Sequence, residues 1–232
     1  MTDRHALRLS ATLLFVGELL SLVVGIFHPG REDPNNHPAV FAEYAASATW
    51  TAVHLGQFVG MAIVIAGLLA LFVALDGPAG KPGWFSGFGA VAAVAALALY
   101  GALQAVDGVA LKQAVDAWVA APEAEKAGRF AVAEGIRWLE WGFRSYQSFT
   151  FGLALVLFGV ALARSSPRTL RPIGYVMGLS GVAYLVQGWI LGSTGFSPAN
   201  TVPQLLAYGL IFAWSLWLVI LAWRMNWQSP VS

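Results

Sequence analysis

Six apolar runs, each about as long as a bilayer is thick, constrain this chain more than any other feature. They cover approximately residues 9–27, 51–75, 85–106, 139–163, 172–191 and 203–224. A spanning helix needs roughly 20 mainly apolar residues. Hydrocarbon offers no water to the backbone, so each run has to satisfy its own donors and acceptors as a helix. The expected fold is all-α: a single integral membrane domain over residues 1–232, built as a six-helix bundle. Charge content agrees, because 11% of the 232 residues are charged where a soluble domain carries about 25%. The first run reads as a retained anchor, since Gly25 is followed by bulky Ile26 and Phe27 rather than a small-residue cleavage site.

Lys and Arg near the span ends set the expected orientation. One side holds Arg4, Arg8, Lys81, Arg164, Arg168, Arg171 and Arg224, with only Asp3 and Asp76 against them. The other holds Arg31, Lys112, Lys126, Arg129, Arg137 and Arg144 among a larger number of acids. The first side is therefore expected to be cytoplasmic, with both termini on it. Trp50, Trp138, Trp141 and Trp189 are read as outer interface anchors, and Trp84, Trp223 and Trp227 as inner ones. In the first outer loop Pro38 can start a helix, and Phe41, Tyr44, Ala45 and Ala48 recur at helical spacing. Residues 38–49 are expected to form a short amphipathic helix lying in the outer interface. From Glu123 to Ala163 there is no proline, so one long helix is expected to rise from water into the fourth span, with bends available at Gly128, Gly135 and Gly142. A weak parallel repeat pairs His54, Gln57 and Pro82 with Arg144, Gln147 and Pro172.

Ionisable and polar residues inside spans are costly and therefore informative. Glu18 lies midway along the first span. His54 and Gln57 share a face of the second; Tyr100, Gln104 and Asp107 form a stripe on the third. Arg137, Glu140, Arg144 and Gln147 form another on the fourth; the fifth adds Tyr184 and Gln187, the sixth Gln204 and Tyr208. Most of these fall in the outer half, and the inner half is nearly pure Ala, Leu, Val and Gly. The pattern predicts a polar pocket open to the outside, closed below and capped by residues 29–49. A small ligand, ion or metal entering it would meet His54, Gln57, Asp107, Glu140, Arg144, Gln147, Tyr184 and Gln187, with Glu18 as a proton-linked floor. Binding or transport is the leading expectation.

Two other classes stay open. Imidazole and carboxylate suit a transition metal, and His28, His54, Asp107 and Glu140 are its candidate ligands, either in a membrane metalloenzyme or with haem on His54 and a second histidine. Alternatively the charges are structural, with Asp107, Glu140, Arg137 and Arg144 as an ion-pair network joining spans three and four. The chain would then be a partner subunit or homo-oligomer, with Gly56/Gly60, Gly83/Gly87 and Gly174/Gly178 as close-packing sites within the bundle or between subunits. A net charge of +1 leaves no basic surplus for nucleic acid. The absence of cysteine excludes thiolate zinc and iron–sulfur sites. There is no phosphate loop, nucleophile elbow or His-Glu-x-x-His helix.

The opening RHALRLSATLLFVGELL and the stretch HPAVFAEYAASATWTAVHLGQF, residues 37–58, resemble small bacterial six-span membrane proteins of actinobacterial type, grouped as a domain of unknown function. The resemblance covers most of the chain. It implies a bacterial cytoplasmic membrane and supplies no activity.

Overall fold

The computed structural model describes residues 3–75, 83–164 and 168–224; Asp76, Lys81, Pro82 and Trp227, used above, lie outside them. Among the described residues the chain is helical throughout, without a strand. The helices are α1 (Arg4–Gly25), α2 (His37–Ala46), α3 (Trp50–Ala74), α4 (Trp84–Ala105), α5 (Lys112–Val119), α6 (Glu123–Arg164), α7 (Arg171–Thr194) and α8 (Thr201–Arg224). A π-helical turn, Val106–Leu111, joins α4 to α5 in one continuous rod. Six helices are long and apolar enough to cross a membrane, in the places expected from the apolar runs. The expected long helix is α6, whose 42 residues span about 63 Å at 1.5 Å per residue. It runs through Gly128, Gly135 and Gly142 without a break.

The six long helices form a closed ring in the order α1, α3, α4, α6, α7, α8. Two pairs are nearly in backbone contact. Between α6 and α7, a Cβ added to Gly159 would lie 2.6 Å from the Gly174 carbonyl oxygen, and one on Gly181 2.5 Å from that of Gly152. Between α1 and α3, a Cβ on Gly17 would meet the Gly60 carbonyl oxygen at 2.8 Å, and one on Gly67 the Leu14 nitrogen at 2.9 Å. Only glycine permits such approach, and van der Waals contact rather than burial from water holds helices together in lipid. Of the glycines read above as close-packing sites, Gly56, Gly60 and Gly174 meet neighbouring helices of the same chain.

The ring closes where the chain ends meet. Asp3 caps α1, accepting from the His5 and Ala6 backbone N–H groups at 2.9 and 3.2 Å. Arg8 Nε donates to the Ala222 carbonyl at 3.0 Å, and its guanidinium stands 5.0 Å from the Trp223 ring centre. A cation thus meets the free carbonyls at the C-terminal end of α8, where the helix dipole favours it. Above this closure the axis is filled by side chains including Leu14, Leu68, Ala93, Phe158 and Trp214. Large apolar side chains such as Leu19, Val91, Leu153, Val182 and Leu205 face outward, a belt that suits lipid and would be a liability in water.

The other end is built differently. α2 ends at Ala46, earlier than expected. Its Val40, Phe41 and Tyr44 are buried with Leu111, Val115 and Ala133 in a second core. The apolar stripe of the loop helix is therefore turned onto α5 and α6 of its own chain. Trp50, read above as an interface anchor, is fully buried in the same cluster, whereas Trp84, Trp138, Trp189 and Trp223 are exposed on the bundle.

Enlarging a buried contact glycine should loosen the ring. Gly159→Leu is expected to cost about 1–3 kcal/mol of stability, the usual range for overpacking, read as a lower Tm in mild detergent. Gly87→Leu, whose added Cβ meets nothing within 4 Å, should leave Tm unchanged. Equal effects of the two would show that α6 and α7 do not pack backbone to backbone.

Candidate functional site

At the α2 end the ring opens around a cavity of about 580 Å³, reaching from Glu18 on α1 to the loop residues Pro29, Gly30 and Pro34. The loop is pinned across it at several points. The Glu43 carboxylate accepts from the Arg31 and Glu32 backbone N–H groups at 3.1 and 3.4 Å. Arg137 Nη2 donates to the Pro34 carbonyl at 3.3 Å, and Asn35 Nδ2 to that of Thr194 at 3.1 Å.

The wall is shaped by the π turn. Inserting a residue into an α-helix frees carbonyls and shifts the side chains that follow. Here the Asp107 carbonyl accepts from Trp50 Nε1 at 2.8 Å and the Gly108 carbonyl from Thr51 Oγ1 at 2.9 Å. Buried carbonyls are thereby satisfied by α3. Gly108 lets the two helices touch, since a Cβ there would lie 2.5 Å from His54 Cβ. This contact was not foreseen from the sequence. Its one local signal is the Asp107–Gly108 pair inside an otherwise apolar run.

His54 is held between two acceptors. Its Nδ1 lies 2.8 Å from the Trp50 carbonyl and its Nε2 2.9 Å from Asp107 Oδ2. A carbonyl only accepts, so Nδ1 carries a proton, and a second proton is shared between Nε2 and the carboxylate. His28 arrives from the end of α1 and stacks beside them, its ring 5.3 Å from His54 and 5.0 Å from Trp50. Its Nδ1 donates to the Pro29 carbonyl at 2.6 Å. Burial pushes the His28 imidazole below its usual range, with Asp107 opposing and His54 adding to the shift. His28 is thus favoured in the neutral form. Burial raises the Tyr44 hydroxyl well above its ordinary value, against the pull of Arg137, so Tyr44 is a neutral donor.

The expected ion-pair network is divided. Arg137 Nη1 pairs with Glu140 Oε2 at 2.5 Å, both side chains almost wholly buried, within α6 rather than across spans. The Arg137 guanidinium also stands 4.8 Å from the Phe196 ring. Asp107 pairs with His54. Arg144 donates to Tyr208 Oη at 3.1 Å and to Gln147 Oε1 at 3.4 Å. Among the described residues no carboxylate comes within salt-bridge distance of it.

Of the residues singled out in the sequence, Glu18, Gln57, Asp107, Glu140, Arg144, Tyr184 and Gln187 line the cavity. His54 stands one layer behind, with Asp107 and His28 in front of it. Gln147 is fully buried beside Arg144 and does not reach the lining, so it differs from Gln57, its counterpart in the proposed repeat. Sequence reasoning gave no weight to Phe196 and Asn200 as cavity walls. His37 lies elsewhere, with Nδ1 at 2.9 Å from Glu134 Oε1 and its ring on Phe41.

Breaking the Arg137–Glu140 pair from one side should leave a buried charge alone. Arg137→Met or Glu140→Leu is expected to cost about 3–5 kcal/mol, and the double variant much less than the sum, measured by unfolding in detergent. Additive losses would mean that the two groups act independently.

Comparison with known protein families, curated proteins and solved structures returns no match for this chain.

Proposed function

We propose that this is a multi-pass protein of the bacterial cytoplasmic membrane, both termini in the cytoplasm, that takes a small polar solute or ion from the outer side into its central cavity, for binding or transport. The observation that carries this reading is the cavity of about 580 Å³ set inside one end of an otherwise apolar ring. Gln104 Oε1, Asp107 Oδ1, Gln187 Oε1 and Asn200 Oδ1, from residues of its wall, are buried without a hydrogen-bond partner. Such groups are costly in a low-dielectric setting unless something meets them. Arg144 and Glu18 add two ionisable groups with no ionic partner among the described residues.

Orientation rests on charge. Arg4, Arg8, Arg164, Arg168, Arg171 and Arg224 belong to the helix ends away from the cavity, and short basic segments stay in the cytoplasm. The cavity then opens outward, beneath the pinned 28–36 loop. Arg144 supplies the recognition chemistry: a guanidinium has five N–H donors, and its planar fork matches carboxylate and phosphate oxygens. Tyr208 holds it in place, and Tyr100 and Tyr184 stand in the same wall. Solutes bearing an acidic group are the class this wall favours, with Glu18 as the floor of the pocket.

Two measurements test this reading. The chain contains no cysteine, so Glu32→Cys can be labelled alone. A membrane-impermeant maleimide added to intact cells should label it, while Arg168→Cys should label only after permeabilisation. Reversed labelling refutes the orientation. In detergent, thermal-shift screening of small organic acids should find stabilising compounds whose affinity falls about 10- to 100-fold in Arg144→Gln, the loss expected for charge-assisted hydrogen bonds. Compounds that act equally on wild type and Arg144→Gln would refute the site.

A further inference from the structure

We infer that His28, His54 and Asp107 form a binding site for one divalent first-row transition ion, in the wall of the cavity and beyond the solute reading above. One ligand atom from each of the three lies within 4.8 Å of the other two. Bound zinc holds nitrogen and carboxylate oxygen at about 2.0–2.2 Å, so small side-chain rotations bring the set onto one ion.

Four features separate this cluster from a chance meeting of polar groups. Each histidine spends Nδ1 on a backbone carbonyl, His28 on Pro29 at 2.6 Å and His54 on Trp50 at 2.8 Å. That leaves Nε2 of each as the ligand atom; at His54 this nitrogen faces Asp107 Oδ2 at 2.9 Å, and the ion takes the place of the proton shared between them. Metal-binding histidines are oriented in this way, through the other ring nitrogen. The rings are clamped by packing, with Trp50 4.4 Å from His54 and Tyr44 4.0 Å from Trp50. Asp107 Oδ1 is buried and makes no hydrogen bond, although its partner oxygen is bound to His54. Finally, the π turn that aims Asp107 is capped on both freed carbonyls by α3 side chains. The oxygen ligand is thereby fixed to the helix that carries His54.

Two imidazoles and one carboxylate suit zinc, copper or iron rather than calcium or magnesium. His28 and Asp107 face the cavity, so further coordination positions point into it, where water or a solute reaches them. Glu140, the fourth ligand expected from the sequence, is taken by Arg137 and is left out of the set.

The test is equilibrium dialysis of chelator-stripped protein in detergent against zinc chloride, followed by elemental analysis, and against cobalt chloride, followed by visible absorption. Wild type should hold one zinc per chain and show cobalt d–d bands. His28→Ala and Asp107→Asn should each weaken zinc binding at least tenfold. His37→Ala, whose ring pairs with Glu134, should bind as wild type does. His28 lies in the loop after α1, so His28→Ala decides the matter even where a buried substitution at His54 fails to fold. Wild type holding less than 0.2 zinc per chain overturns the proposal, as does His28→Ala binding as tightly as wild type. No organic solute takes part in this assay, so its outcome and that of the acid screen are independent.

Discussion

Two helix pairs in direct backbone contact set the shape of everything else. Lipid is as apolar as leucine, so a helix gains little by turning leucine away from it, and close approach has to supply the attraction. Gly17, Gly60 and Gly67 give α1 and α3 that approach, and Gly152, Gly159, Gly174 and Gly181 give it to α6 and α7. α4 and α8 then complete the ring between these two rigid walls. At the terminal end apolar side chains, from Ala93 to Trp214, fill the axis. Towards α2 the same ring carries Tyr100, Gln104, Tyr184, Gln187 and Tyr208, and the axis becomes a cavity.

The charges inside that cavity sort themselves by neighbour rather than by helix. Arg137 and Glu140 neutralise each other one turn apart and tie the 28–36 loop down through Pro34. Asp107 is matched by His54. Arg144 bonds to the neutral oxygens of Tyr208 and Gln147, and among the described residues neither it nor Glu18 has an ionic partner. Buried pairs are common for structural reasons alone.

The π turn links these features to the metal proposal. Asp107 and Gly108 lie within it, and there Asp107 meets His54 while both carbonyls accept from α3 side chains. Trp50, Thr51 and Gly108 are the residues that make the turn tolerable, two by donating to its free carbonyls and one by leaving room for His54. Trp50 therefore serves the site from inside the protein, which an interface-anchor reading of tryptophan near a span end misses.

The helices were legible from the residues because their cause is local: an apolar run of about 20 residues has to bond its own backbone in lipid wherever its neighbours stand. For the same reason the long rise of α6, the restart after Pro38 and the polarity of one end of the bundle could be read directly. Stripes such as Tyr100, Gln104 and Asp107 also survive, since spacing along one helix fixes a common face. Which stripes meet depends on ring order and on contacts between residues far apart in the chain. Local spacing does not reveal that His28 packs beside His54, that Glu140 pairs with Arg137, that no carboxylate of the described residues reaches Arg144 or that Gln147 stays out of the cavity lining. Those outcomes depend on how closely glycine lets the helices approach and on the π turn that follows α4. Both are settled by packing in three dimensions.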